Sequence, residues 1–70
     1  MKRKKARIDG SKLRQCRESR DLSQEELARM AKLTRSVIST LENGYQGISF
    51  SNLASIAHAL RVEVSEITME

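Results

Sequence analysis

The chain has no proline and no tryptophan, three glycines, one cysteine, one histidine and two aromatic residues, Tyr45 and Phe50. Each shortage removes a class of function. A lone Cys16 cannot close an intramolecular disulfide, so a reducing cytoplasm is the expected compartment. Cys16 and His58 have no spaced companions, which leaves no zinc set, and they do not form a nucleophile and base pair. No enzymatic activity, cofactor or small-molecule ligand is therefore expected. Two aromatics are too few for a surface that stacks single-stranded RNA bases, more so because Phe50 is expected to pack at the start of a helix. No apolar run approaches membrane-spanning length, and the basic N-terminus lacks the apolar stretch of a secretory signal.

Seventy residues make one small domain with little room for a catalytic cleft. The composition is that of a helical protein without repeats or low-complexity tracts. The net charge of +4 is unevenly placed. Lys2, Arg3, Lys4, Lys5 and Arg7 are five of the thirteen cations, and the remaining eight face all nine acids from Ile8 onward. The body, residues 9–70, is close to neutral, and the excess charge sits in an arm, residues 1–8. Such an arm is either a solvated terminus or a contact for a polyanion, since each cation that neutralises a phosphate releases a counterion.

One spacing recurs five times: an apolar residue, then a cap position, then a second apolar residue four places on. It occurs as Ile8, Asp9, Leu13; as Leu22, Ser23, Leu27; as Leu33, Thr34, Ile38; as Ile48, Ser49, Leu53; and as Val62, Glu63, Ile67. This is the hydrophobic staple around a helix N-cap. Asp, Ser and Thr fill four of the caps, and Glu26 completes a capping box with Ser23. The expectation is an all-α, five-helix domain with helices near 10–20, 24–31, 35–43, 50–60 and 64–68, and no strands. Three residues, Lys32 to Thr34, separate the second and third helices, and so short a turn gives helix-turn-helix geometry.

On the third helix, at about 100° per residue, Ile38 and Leu41 face the core together with Glu42. Ser36, Ser39, Thr40 and Asn43 fall on the outward arc, with Arg35 at one border and Val37 at the other. These side chains suit base edges in a major groove, although an exposed polar arc is more often plain solvated surface. The arc carries no lysine or glutamate, the residues that usually fill a solvated helix face. Glu42 sits at the negative end of its helix and points inward, so it requires a cation, and Arg17 on the first helix is the candidate.

With these motifs in view, "LSQEELARMAKLTRSVISTLENG" followed by "ISFSNLASIAHALRVEVSEI" resembles the Xre/Cro family of lambda-repressor-like helix-turn-helix domains, which includes phage repressors and restriction-system controllers. The resemblance covers about residues 11–68. It implies a five-helix bundle whose third helix enters the major groove of operator DNA. By the same resemblance Gln24 contacts a phosphate and braces the third helix, and Arg35, Ser36 and Thr40 reach base edges, with Ser39 on the same arc. Thr34, Asn43, Gly44 and Tyr45 then lie along the DNA backbone, and Arg17 pairs with Glu42. Lys2, Arg3, Lys4 and Lys5 are the arm's candidates for phosphate contact. Asp21, Lys32 and Arg61 stand where family members usually carry glycine, and Tyr45 to Ile48 replace a stretch that is often basic.

The reading that follows is a sequence-specific transcriptional regulator on double-stranded DNA, acting as a cytoplasmic homodimer on a palindromic operator. Val62, Val64, Ile67 and Met69 are its candidate dimer surface. The alternative is an antitoxin or adaptor module that uses the same fold to hold a protein; antitoxins usually add a toxin-binding extension, and the sequence stops at Glu70.

Overall fold

Side-chain caps start every α-helix in the computed structural model, which describes residues 6–45 and 47–69. Asp9 Oδ1 accepts from the amides of Ser11 and Lys12 at 3.0 and 3.3 Å, which starts α1 (Gly10–Ser19). Ser23 and Glu26 exchange bonds of 3.0 and 2.8 Å as a capping box at the head of α2 (Gln24–Ala31). The amide of Val37 donates to Thr34 Oγ1 at 3.2 Å for α3 (Arg35–Glu42), and that of Asn52 donates to Ser49 Oγ at 3.1 Å for α4 (Phe50–Leu60). Each cap satisfies amides that have no partner inside the helix.

The helix ends share one device as well. The amides of Leu22, Leu33, Tyr45 and Val62 reach back five residues, to the carbonyls of Arg17, Ala28, Thr40 and Ala57, at 3.0 ± 0.2 Å. Such closure needs a positive φ just before it, and Asp21, Lys32, Gly44 and Arg61 supply it at +56°, +60°, +114° and +60°. The three residues that replace the usual glycines thus keep the left-handed backbone, at the steric cost that a Cβ brings. Leu22, Leu33 and Val62 then fold onto the core, whereas Tyr45 stays 57% exposed.

The C-terminal segment and the loop after α3 depart from the expected five-helix, strand-free layout. The fifth helix is a single 3-10 turn, Val64–Glu66, closed by the Glu63 amide on Glu66 Oε2 at 3.0 Å. It stops because the chain must run out extended: Ile8 bridges Thr68, the Asp9 amide donates to the Ile67 carbonyl at 2.8 Å, and the Met69 amide donates to the Arg7 carbonyl at 2.9 Å. Strands are also present. β1 (Ala6–Arg7) pairs antiparallel with β2 (Gly47–Ile48), Ala6 opposite Ile48 and Arg7 opposite Gly47. The segment from Ala6 to Ile8 is therefore held between the loop after α3 and the end of the chain, and fully buried Ile8 belongs to the body rather than to an arm of residues 1–8. Lys2, Arg3, Lys4, Lys5 and Gln46 lie outside the described residues.

Leu13, Leu27, Ile38, Leu53, Ile56 and Leu60 form the helical core, closed by Ile8, Ile48 and Ile67 from the non-helical segments. Each side chain of this size contributes about 1.5 to 3 kcal/mol on burial. Ile67 is fully buried within one chain and so cannot form a dimer surface; Val62 and Val64 also pack partly against the core, while Met69 is exposed. Phe50 does not pack at the head of α4 but is 61% exposed, whereas Leu53 three residues on is fully buried.

Candidate nucleic-acid interface

The aim of α3 is set by contacts at both of its ends. At its start, the turn from Lys32 to Thr34 joins it to α2, with Leu33 tucked against the core. At its end, Gly10 of α1 lies so close that a Cβ there would stand 2.5 Å from the Leu41 carbonyl oxygen and 3.1 Å from Glu42 Cα. No side chain fits between the two helices at this point.

The inward face of α3 carries an ion pair. Arg17 Nε and Nη2 donate to Glu42 Oε2 and Oε1 at 2.7 and 3.0 Å, a bidentate geometry. Arg17 Nη1 donates to the Leu22 carbonyl at 2.8 Å, and Gln24 Nε2 donates to Glu42 Oε1 at 3.1 Å. The orientation of the Gln24 amide follows from chemistry, since an ionised carboxylate only accepts. Burial pushes the Glu42 carboxyl up, but the hydrogen bonds from Arg17 and Gln24 and the charges of Arg17 and Arg14 outweigh it and hold the group below its ordinary range. The hydrogen bond to Glu42, against the opposing effect of burial, raises the Arg17 guanidinium further above its own, with the charges of Glu42 and Glu18 adding to it. Three elements, α1, α2 and α3, are thereby tied at one point. The inward carboxylate of Glu42 thus finds its cation in Arg17, as expected from its place at the helix C-terminus, and Gln24 braces the same group.

The outward face remains for a partner. Arg35, Ser36, Ser39 and Thr40 together line one shallow depression, Ser39 half-buried and the other three exposed. Asn43 follows at the helix end and donates weakly to Ser39 Oγ at 3.5 Å. Thr34 has its hydroxyl turned onto the first turn of α3 as a cap. Tyr45 lies over Gly47, its hydroxyl 3.2 Å from where a Cβ on that glycine would be, so the ring forms a wall rather than a free contact.

Behind that wall runs a second groove of about 370 Å³, between the other border of α3 and the head of α4. Val37, Leu41 and Tyr45 give it an apolar side, and Ser49 and Asn52 a polar one. Ser49 was legible only as a cap, and nothing in the local pattern marked Asn52, because both come to the interface through the β1–β2 pairing that folds the loop back. Among the described residues, no group of three His, Cys, Asp or Glu side chains could hold a metal ion, and no helix is long and apolar enough to cross a membrane.

A projecting helix with a short-side-chain polar face, fixed from behind by a buried ion pair and preceded by a three-residue turn, defines a class. The helix-turn-helix family profile matches residues 13–67, and the chain belongs to this family of Xre-type DNA-binding transcription regulators. The chain is 41% identical over 59 residues to the control protein C.MunI of a Mycoplasma species, covering 83% of this chain and 80% of that one. The crystal structure of the restriction-modification controller protein C.AhdI from Aeromonas hydrophila superposes with a TM-score of 0.77 at 38% identity, covering 81% of this chain and 83% of that one. The biofilm master regulator SinR, solved in complex with DNA, superposes equally well at 0.77 with 28% identity, over 80% of this chain and 90% of that one.

Proposed function

We propose that this protein is a non-enzymatic, cytoplasmic controller of restriction-modification type that binds a two-fold symmetric operator in double-stranded DNA as a homodimer, with α3 in the major groove. The observation that carries the reading is the depression shared by Arg35, Ser36, Ser39 and Thr40 on the outward face of a helix whose opposite face is locked by Arg17, Gln24 and Glu42. The guanidinium of Arg35 can bond guanine in bidentate fashion, and the hydroxyls can meet several base edges. Likeness to C.MunI and C.AhdI supports the controller role.

Gln24, Thr34, Asn43 and Tyr45 flank this face on the two sides where DNA strands would run, and Ser49 and Asn52 join them from the head of α4. Gln24 spends one amide N–H on Glu42, which leaves the second N–H and its backbone amide for a phosphate. The basic residues Lys2, Arg3, Lys4 and Lys5 add charge for the backbone. One domain of this size makes few base contacts, so two copies about one helical turn apart supply the selectivity. Val62, Val64 and Met69 remain the candidates for joining them.

Selection of bound sites from random duplex DNA tests the proposal. The expected product is a consensus with two-fold symmetry and half-sites about one turn apart, bound by two chains. Enrichment of no sequence, or of an asymmetric site bound by one chain, would overturn it.

A further inference from the structure

Five large apolar side chains are exposed among the described residues: Met30, Val37, Tyr45, Phe50 and Met69. Val37 differs from the others in its place. It lies on α3, next to Ser36 and one turn from Thr40, and is 36% exposed. A valine costs helix propensity at an exposed site and cannot bond to water or to a base edge. Its surroundings are apolar as well. Thr34, three residues before it, accepts from the Val37 amide at 3.2 Å and lines the same groove, its O–H still able to donate to a phosphate. Leu41 lies deeper in the same groove, and the Tyr45 ring, held over Gly47, closes the far side.

We propose that Val37, flanked by Thr34 and Thr40 in this groove, seats the C5-methyl group of a thymine and is thereby a specificity-determining residue of the interface. The occupant follows from continuity with the reading face. Arg35, Ser36 and Thr40 meet hydrogen-bonding base edges, and the groove that shares Ser36 and Thr40 with them has an apolar border. In the major groove, the thymine methyl is the apolar feature that distinguishes one base pair from the other three. Burying one methyl-sized group is worth about fourfold in affinity.

This inference rests on α3 reading bases, and its test keeps the two apart. The full-length chain is first used to select a preferred duplex; each thymine of that duplex is then replaced singly by uracil, which removes the C5-methyl and leaves every hydrogen-bonding group in place. The expected result is one position per half-site at which uracil weakens wild-type binding about fourfold, and at which Val37→Ala binds the thymine and uracil duplexes equally. Val37→Thr, similar in shape with one methyl exchanged for a hydroxyl, should lose part of the preference. Its exposure lets Val37 be changed without opening the core, and a thermal midpoint no lower than wild type in each variant confirms that. A preferred duplex with no uracil-sensitive position, or a uracil penalty that persists in Val37→Ala, overturns the role of Val37 while leaving base reading by α3 intact. Absence of any preferred duplex defeats both.

Discussion

Replacing Glu42 with alanine would leave the buried Arg17 guanidinium with its bond to the Leu22 carbonyl and the half-exposed Glu18 carboxylate 3.8 Å away, but without the two bonds of 2.7 and 3.0 Å that it makes to Glu42. Gln24 would lose its acceptor in the same step. Breaking a buried pair by removing one partner costs about 3 to 5 kcal/mol, because the remaining charge stays desolvated. A chain of this length has a total stability of about 4 to 10 kcal/mol. Thermal unfolding followed by far-ultraviolet circular dichroism should therefore show a midpoint lowered by about 12 to 40 °C, or no folded state at all. Replacing both partners by apolar residues, as in Arg17→Met with Glu42→Leu, should recover much of the loss, since no charge is then left unpaired. The pH dependence supplies an independent signature. The folded carboxyl of Glu42 titrates below its ordinary value near 4.3, so its contribution is complete above that value and fades as the pH falls through the lower, folded one. Glu42→Gln should lack that share of the acid-induced loss. A Glu42→Ala midpoint within about 3 °C of wild type would refute the reasoning, because it would mean that the pair does not tie α1, α2 and α3 together.

Three further outcomes follow from the same geometry. Gly10→Ala should destabilise by about 1 to 3 kcal/mol despite the better helix propensity of alanine, because the new Cβ meets the Leu41 carbonyl; a raised melting midpoint would show that the helices do not approach so closely. Lys32→Gly, at φ +60°, should raise stability by about 0.5 to 1 kcal/mol, the left-handed strain relieved less the extra freedom of glycine in the unfolded chain, and a lowered midpoint would contradict the left-handed turn. Deleting residues 2–5 should weaken specific and non-specific DNA binding alike and reduce the slope of log affinity against log salt by up to about 3.6 per chain, or about 7 for the dimer, so an unchanged slope would show that the arm neutralises no phosphate.

The parts of the fold that were legible in the sequence are those set by short-range chemistry. Asp9, Ser23, Thr34 and Ser49 act within three residues of themselves, so their spacing to the next apolar residue located all four α-helices. The Arg17–Glu42 pair was legible because an inward carboxylate at a helix C-terminus demands a cation. What escaped notice depends on contacts between distant segments. Two-residue strands carry no alternation, and the β1–β2 pairing joins positions about forty residues apart. The 3-10 turn ends where it does because Thr68 must meet Ile8, not because of its own residues. The burial of Ile67 has the same origin: near the end of the sequence it looks available to a partner, yet the bonds between 7–9 and 67–69 draw it into the core. The outward arc of α3 follows from helical periodicity alone, whereas the place of Ser49 and Asn52 in the adjoining groove depends on how the loop folds back.

The central claim is that the outward face of α3 reads bases, and Arg35→Ala measured on two duplexes tests it most directly. On the selected operator the variant should lose about 1 to 3 kcal/mol per half-site and accept any base at one position in each, while its affinity for a scrambled duplex falls only by the share of one charge per chain. Equal losses on both duplexes, with the base preference intact, would contradict the account and make Arg35 a phosphate contact.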